Sequence, residues 1–399
     1  MCDEKTKNII FVDDENNILM GLKRLFRNMR NEWDMSFANS GEEALKIMSE
    51  KHIDVIVTDM RMPIMDGAQL LSIVAKKYPN AVRIVLSGHS DKEAVLRAVG
   101  QTHQYLTKPC DPDLLRNTVN RTLELRKLLK DEHLETLVSE MKQLPSIPEI
   151  YVELVEELKS DEPSIQFISR LISQDIGMTA KILQIVNSAF FGLRRKVETV
   201  NQAVSYLGME NVSSLVLAAN VFNQFDNIKD IKGFTLSSLW SHSSKVGRFA
   251  SEIAKTEGCD KSVIDASLTG GLLHDCGKLV LAANMPEKFK EAIQISLADN
   301  KSIIETENEI FNANHMQVGA YLIGVWGLPD SIVEAVGFHH NPGKIDCNGV
   351  TPLLTVHAAN SIINNFENPS GYNYLDMVFI EENNLTHRLD SWQKLMDNI

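Results

Sequence analysis

Two hydrophobic rhythms divide the chain. From residue 7 to about residue 125, short apolar runs (IIFV, DVIVTDM, RIVLSG, QYLTKP) alternate with amphipathic stretches (NILMGLKRLFRNM, EEALKIM, AQLLSIVAKK). The short runs are rich in Val, Ile and Leu on both faces, as in strands of a parallel sheet covered by helices on either side. The longer stretches repeat their apolar residues every three or four positions, the period of a helix. This order predicts five strands and five helices in an α/β unit. Beyond Pro145 the strand-like runs stop. IYVELVEELK, IQFISRLISQ, MTAKILQIVNSAFF, SLWSHSSKVGRFASEIAK, VIDASLTGGLLHDCGKLVLA, QVGAYLIGVWG and SIVEAVGFHH all carry helical spacing between Gly, Pro, Asp or Asn turns, which predicts a second, all-α unit.

The junction has its own signature. Asp111 and Pro112 suit the cap and first position of the fifth helix, and no Gly or Pro follows before Pro145. An unbroken helix there measures roughly 45–50 Å at about 1.5 Å per residue, more than one small sheet can cover. Leu115, Thr122, Leu125, Leu129, Leu134, Leu137 and Met141 form an irregular apolar stripe along it. The exposed part of that stripe is expected to pair with a second copy, giving a homodimer, or to dock on the helical unit.

Composition narrows the partners. The 399 residues are 44% hydrophobic with a formal charge of −13, which suits a soluble globular protein and argues against a large DNA or anionic-lipid footprint. No short helix-turn-helix unit with a basic recognition helix stands out. The start MCDEKTKNII lacks the apolar core of a secretory signal, and no apolar run approaches the roughly 20 residues of a membrane span. A cytoplasmic protein without DNA or membrane as partner is the expectation. Cys2, Cys110, Cys259, Cys276 and Cys347 contain no CxxC pair, so neither a disulfide framework nor a thiolate zinc site is expected.

Chemistry-bearing residues of the first unit fall at strand ends, where open parallel sheets bind ligands. Asp13 and Asp14 follow the first strand, Asp59 ends the third, Ser87 the fourth, and Lys108 the fifth. Three carboxylates in one cleft repel one another unless a hard cation such as Mg²⁺ or an ammonium neutralises them. IIFVDDE, DVIVTDMRMPIMDG, IVLSG and YLTKP, in this order, resemble the motifs of response-regulator receiver domains, which have a flavodoxin-like (βα)5 fold. The resemblance implies that Asp59 accepts phosphate from a sensor histidine kinase, with Lys108 and Ser87 assisting. It implies Mg²⁺ held by Asp14, Asp59 and the Arg61 carbonyl, with Asp13 acting mainly through water. Ser87 and Tyr105 occupy the family's switch pair, and Arg61 and His89 line the mouth of the site.

In the helical unit, six of the eleven histidines lie between residues 240 and 360. Imidazoles and a carboxylate on different helices can converge on a transition metal inside a bundle. WSHSSKVGRFA, GLLHDCGKL and HMQVGAYLIGVWGLPDSIVEAVGFHHNP resemble the HD superfamily of metal-dependent phosphohydrolases. QLPSIPEI, NSAFFG and AVSYLGMENV narrow the resemblance to the HDOD, or HD-related output, domain. Carried over from catalytically active HD-GYP relatives, His242, His274, Asp275, His315, His339 and His340 become metal-ligand positions for Fe, Mn or Zn, and Lys278 a phosphate contact. Two departures oppose hydrolysis. HHNPGKID has neither the Glu nor the Gly-Tyr-Pro element of those relatives, and Asn360 stands where they have a terminal Asp. His357 lies three residues before Asn360 and is as easily a structural residue as a functional one.

The expected layout is a receiver at 7–125, a helical linker at 126–143 continuing the fifth helix, an HDOD domain at 137–342 and a C-terminal helical extension at 343–399. The expected function is phosphorylation at Asp59 controlling an HDOD module that acts mainly by binding a downstream signalling protein. A receiver-gated phosphodiesterase, acting on a cyclic dinucleotide or another phosphoester, is the alternative.

Overall fold

The computed structural model describes residues 7–87, 102–129, 163–187, 196–208, 231–299 except 232, 301–367 except 346 and 348, and 375–396, with isolated positions between 134 and 160 and at 212. Residues 88–101, which would carry the fourth of the five expected helices, lie outside them, as does His89.

The N-terminal unit has strands β1 (Lys7–Val12), β2 (Trp33–Ala38), β3 (Val55–Asp59), β4 (Val82–Ser87) and β5 (Gln104–Thr107). They form one parallel sheet in the order β2-β1-β3-β4-β5. Helices α1 (Asn16–Leu25), α2 (Gly41–Glu50), α3 (Gly67–Lys77) and α4 (Pro112–Arg126) are described beside it. Alternation along β1 explains the two-sided core. Ile10 and Val12 join Leu70, Leu71 and Val74 of α3 in one cluster, while Ile9 and Phe11 join Leu115, Val119 and Leu123 of α4 in another. Local chemistry sets the helix starts. Ser40 caps α2, Asp66 and Gln69 make a capping box on α3, and Asp111 caps α4 with Pro112 behind it, as its sequence predicts.

The junction corrects the expectation of one uninterrupted helix. α4 ends at Arg126, where the Lys127 and Leu128 N–H groups fold back onto the Glu124 and Leu125 carbonyls. The apolar stripe explains the stop. Its early residues, Leu115 among them, belong to the sheet, whereas Leu125, Leu128, Leu129, Leu134 and Leu137 belong to the core of the helical unit. One straight helix cannot serve both surfaces. Docking on the second module is therefore the arrangement seen for that part of the stripe; Met141 lies outside the described residues.

Described helices of the second unit are α5 (Ile165–Ser173), α6 (Ile176–Val186), α7 (Val200–Leu207), α8 (Leu236–Thr256), α9 (Lys261–Leu273) and α10 (Cys276–Asn284). They continue with α11 (Pro286–Asp299), α12 (Ile303–Phe311), α13 (His315–Val325), α14 (Asp330–Phe338), α15 (Pro352–Glu367), α16 (Met377–Glu382) and α17 (Leu389–Met396). The last three share a core with α8: Leu354, Ile363, Phe379 and Trp392 pack with Val246, Phe249 and Ile253. Glu257 ties this packing down by accepting from Trp392 Nε1 (2.9 Å) and Arg388 Nε (3.0 Å).

The modules meet at the carboxyl end of α13. Leu125 of α4 packs on Gly324, and Gln104 Nε2 of β5 donates to the Gly324 carbonyl (3.4 Å). Arg121 of α4 donates to the Leu328 carbonyl (3.0 Å) and pairs with Asp330; beside them Lys196, of the helical unit itself, donates to the Gly327 carbonyl (2.7 Å). α13 stops there because Gly327 adopts φ +79° and lets the Leu328 N–H return to the Ile323 carbonyl.

A second backbone constraint lies where α10 crosses α13. A Cβ on Gly277 would collide with the His315 carbonyl oxygen. Gly277→Ala is therefore expected to cost about 3 kcal/mol, since a well-packed crossing must open. Gly21→Ala, on an exposed turn of α1 with open space around it, is expected to gain about 0.5–1 kcal/mol. Urea unfolding of the full chain checks both signs, and an undiminished stability in Gly277→Ala would refute the crossing argument.

Candidate functional site

At the carboxyl edge of the sheet, β3 ends on Asp59, β1 leads into Asp13 and Asp14, and β5 leads into Lys108. Lys108 Nζ sits between two carboxylates, 2.6 Å from Asp13 Oδ2 and 2.7 Å from Asp59 Oδ1. Burial pushes the Asp59 carboxyl up from its ordinary value, only partly opposed by Lys108, and the Asp13 charge adds to the rise. Burial alone would pull the Lys108 ammonium down, but its two carboxylate partners win and hold it up. Asp13 Oδ1 accepts the Glu15 N–H (2.9 Å), and Asp59 Oδ2 accepts the Arg61 N–H (3.2 Å), so each carboxylate is oriented by the loop that follows it. Oxygens of Asp13, Asp14 and Asp59 lie within 4.8 Å of one another. This all-oxygen donor set fits a hard divalent cation, and the half-buried surplus of negative charge gives it a reason to bind. The backbone places Ser87 beside Thr107 at the end of β4 and Tyr105 beside Val85. The side chains of Ser87 and Tyr105 lie outside the described part of the structure.

The six metal-ligand candidates of the helical unit converge from four directions. His242 lies on α8, His274 caps the end of α9, Asp275 precedes α10, His315 opens α13, and His339 and His340 follow α14. Neighbouring imidazole rings stand 4.3 to 5.5 Å apart between centroids. Asp275 joins the two halves of the cluster. Its Oδ2 is 3.4 Å from His274 Nε2, and its Oδ1 is 3.3 Å from His315 Nε2 and 3.8 Å from His339 Nε2.

Each of the three innermost rings is anchored by its outer nitrogen. His274 Nδ1 meets the Gly271 carbonyl (2.7 Å), His339 Nδ1 the Val336 carbonyl (2.9 Å), and His315 Nδ1 the Glu307 carboxylate (2.6 Å). Since those acceptors need a proton on Nδ1, the Nε2 lone pairs face inward. There, His274 Nε2, His315 Nε2, His339 Nε2 and Asp275 Oδ1 are all buried without a hydrogen-bond partner. Orphaned atoms of this kind are costly as they stand; with their neighbours they fall into two triads, His242/His274/Asp275 and His315/His339/His340, each with ligand atoms within 4.8 Å of one another, which suit transition metals. Burial, reinforced by neighbouring imidazoles, pulls His339 and His340 well below the usual histidine range and His242 down to about 4. Burial would raise the Asp275 carboxyl, yet His274 and Lys278 hold it well below the usual carboxylate range.

Four further residues border the centre. Lys278, a phosphate contact by the resemblance, pairs with Asp275 Oδ2 at 2.7 Å, because one helical turn separates them and the charges attract. Asn360 Oδ1 takes up His242 Nε2 (2.9 Å) and Asn364 Nδ2 (2.9 Å), so the amide binds a histidine edge that a carboxylate would hold more strongly. Glu307 is not singled out by sequence reasoning. Its only signal is a carboxylate on the apolar face of α12, four residues after Ile303 and four before Phe311. His357 is structural: Nδ1 donates to the His339 carbonyl (2.7 Å) and Nε2 accepts the Asp376 N–H (2.9 Å), leaving neither nitrogen for a metal.

Comparisons with known proteins agree with this division. The family model for the response regulator receiver domain matches residues 9–120, and that for the HDOD domain matches residues 144–342. Among curated relatives, an uncharacterized protein of Treponema pallidum (strain Nichols) is 25% identical over 231 residues, 58% of this chain and 44% of its own length. The hydrogenase transcriptional regulatory protein HoxA of Cupriavidus necator is 33% identical over 132 residues, 33% of this chain and 27% of its own. The chain thus spans less than half the length of either relative. A solved structure, the MmoQ response regulator from Methylococcus capsulatus str. Bath, aligns with a TM-score of 0.47 at 21% identity, covering 63% of this chain and 97% of that one. With both family models matched in order along it, the chain is a response regulator, a receiver domain followed by an HDOD domain.

Proposed function

We propose that Asp59 is the phosphoryl acceptor and that its phosphorylation by a sensor histidine kinase controls an HDOD module that acts mainly by binding a downstream signalling protein. The observation that carries this reading is Lys108 held between Asp13 and Asp59 at the carboxyl edge of the sheet. In the transfer, Asp59 Oδ attacks phosphorus, the P–N bond to the kinase histidine breaks, and the electron pair leaves with that imidazole. Lys108, already 2.7 Å from Asp59, is placed to follow the charge onto the phosphoryl oxygens. Mg²⁺ held by Asp14, Asp59 and the Arg61 carbonyl, with Asp13 acting mainly through water, would neutralise the remaining negative charge. Ser87 and Tyr105 would report the change to β5 and α4. That surface is the one packed on the HDOD module through Gln104, Arg121 and Leu125, so a shift there alters how the module is held. This reading places the protein in the cytoplasm, where a kinase phosphohistidine is available.

In the same reading the histidine centre is a metal-stabilised core for Fe, Mn or Zn. The second reading, a phosphodiesterase gated by the receiver, is favoured by the inward-facing Nε2 atoms of His274, His315 and His339. It is opposed by Asn360, since a neutral amide neither holds a cation as a carboxylate does nor accepts a proton from water.

Asp59→Asn is expected to take no label from a small phosphodonor with Mg²⁺, and labelling at the wild-type level would overturn the assignment. Arg121→Ala, which loses contacts to Leu328 and Asp330 with a combined worth of about 1–2 kcal/mol, should loosen the docking. Hydrogen exchange at residues 324–330 is expected to rise about tenfold, and unchanged protection would show that the contact is not holding the modules. Elemental analysis and a phosphodiesterase assay with Mn²⁺ or Fe²⁺ separate the two outputs. The binding reading expects metal without turnover, whereas turnover abolished in a folded His274→Ala/Asp275→Ala variant would establish catalysis.

A further inference from the structure

We propose that Glu307 is a positioning residue of the histidine centre, acting through His315 to fix its tautomer and strengthen its inward nitrogen as a metal ligand; this rests on the reading that the centre binds a metal. Glu307 lies on α12 with no exposed surface. Its Oε2 accepts twice from one residue, from the His315 main-chain N–H (2.9 Å) and from Nδ1 (2.6 Å). The first bond fixes where α13 begins and the second fixes how the ring at its first position is turned.

His315 differs from the other inner rings in its outer partner. His274 and His339 rest on main-chain carbonyls, which are neutral, whereas His315 rests on a carboxylate. A charged acceptor pulls harder on the Nδ1 proton and makes the opposite nitrogen a better donor to a cation. That nitrogen faces Asp275 Oδ1 at 3.3 Å with no hydrogen bond of its own.

Charge compensation points the same way. A carboxylate sealed from water is costly unless an opposite charge answers it. Among the described residues, His315 is the one basic side chain within ion-pair distance of Glu307. A cation bound by Nε2, on the far side of the same imidazole, would supply that answering charge while leaving His315 neutral. Glu307, His315 and the centre form one line, and Glu307 tunes the centre without touching it.

The test uses the full chain stripped of metal and titrated with Co²⁺, followed by visible d–d absorption. Glu307→Gln keeps the size of the side chain and an acceptor oxygen but removes the charge. It is expected to weaken Co²⁺ binding about 10- to 100-fold and to shift the absorption bands, with the melting of the metal-free protein unchanged. Wild-type affinity and bands in Glu307→Gln would overturn the positioning role alone. Absence of Co²⁺ binding by the wild type would overturn the metal reading, and the inference with it. Should Glu307→Gln destabilise the metal-free fold, the double variant with His315→Ala decides. Glu307→Gln must then cause no further loss of Co²⁺ affinity in the His315→Ala background, and additive losses would refute an action through His315.

Discussion

The contact on which the helical module depends is the approach of two backbones, Gly277 on α10 against His315 at the start of α13, with no room for a methyl group between them. Because the helices touch through main chain, the residues just before α10 and at the first position of α13 are forced together. Those residues are His274, Asp275 and His315. Gly319, one turn further along α13, keeps the crossing close by leaving space for Cys276 and Gly277. The apolar packing around this point supplies the driving force, with Leu279, Val280, Val318 and Val336 all buried. The polar cluster is thus carried into the interior by its neighbours and not by its own affinity for it.

Burial gives the two sites opposite electrostatic problems. At the sheet edge, carboxylates are in excess, and Lys108 is held charged by Asp13 and Asp59 even though burial disfavours it. A negatively charged site of that kind attracts cations. In the helical module the imidazoles are in excess and burial keeps His339 and His340 neutral, so they offer lone pairs. Asp275 and Glu307 are the carboxylates in contact with that cluster. Asp275 is shared between His274, His315 and Lys278, and Glu307 is engaged by His315 alone among the described residues. The first donor set, all oxygen, suits a hard cation, and the second, mostly neutral imidazole, suits a borderline one.

Legibility in the sequence followed how local each signal is. Strand ends, caps and the Asp13, Asp59 and Lys108 positions depend on short-range pattern, and the parallel sheet then brings those residues to one edge. The six metal-ligand candidates were legible through a resemblance and do converge, but their geometry depends on helix crossings that periodicity cannot give. Glu307 was hidden because a single Glu in an amphipathic helix reads as solvated surface until its partner, eight residues away at the start of another helix, is known. The end of α4 at Arg126 was hidden for a similar reason. Nothing in RTLELRKLLK breaks a helix, and the turn is imposed by Leu125, Leu128 and Leu129 reaching the second core. Lys278 and Asp275 were each noticed, but their pairing depends on the turn that joins α9 to α10.

α13 is the element through which the two modules can influence each other. Its eleven residues, about 16 Å of helix, carry His315 at one end and the receiver contact at the other. The contact is made largely with main-chain carbonyls at or just beyond its carboxyl end, where the helix dipole is negative and Gln104 and Arg121 donate. Such contacts are lost or kept by small rotations, since hydrogen bonds weaken steeply with angle while apolar packing does not. At its other end the helix is pinned by Gly277 and Glu307, so a displacement at Gly324 is more easily absorbed by tilting than by sliding. A coupling of about 1–3 kcal/mol between the ends corresponds to roughly a 5- to 150-fold change in affinity. By linkage the same coupling acts in reverse: whatever steadies His315 also steadies the surface on which the receiver rests. A metal-stabilised centre would therefore matter to the switch even if it never turned over a substrate, because it would set the stiffness of the helix that the receiver holds.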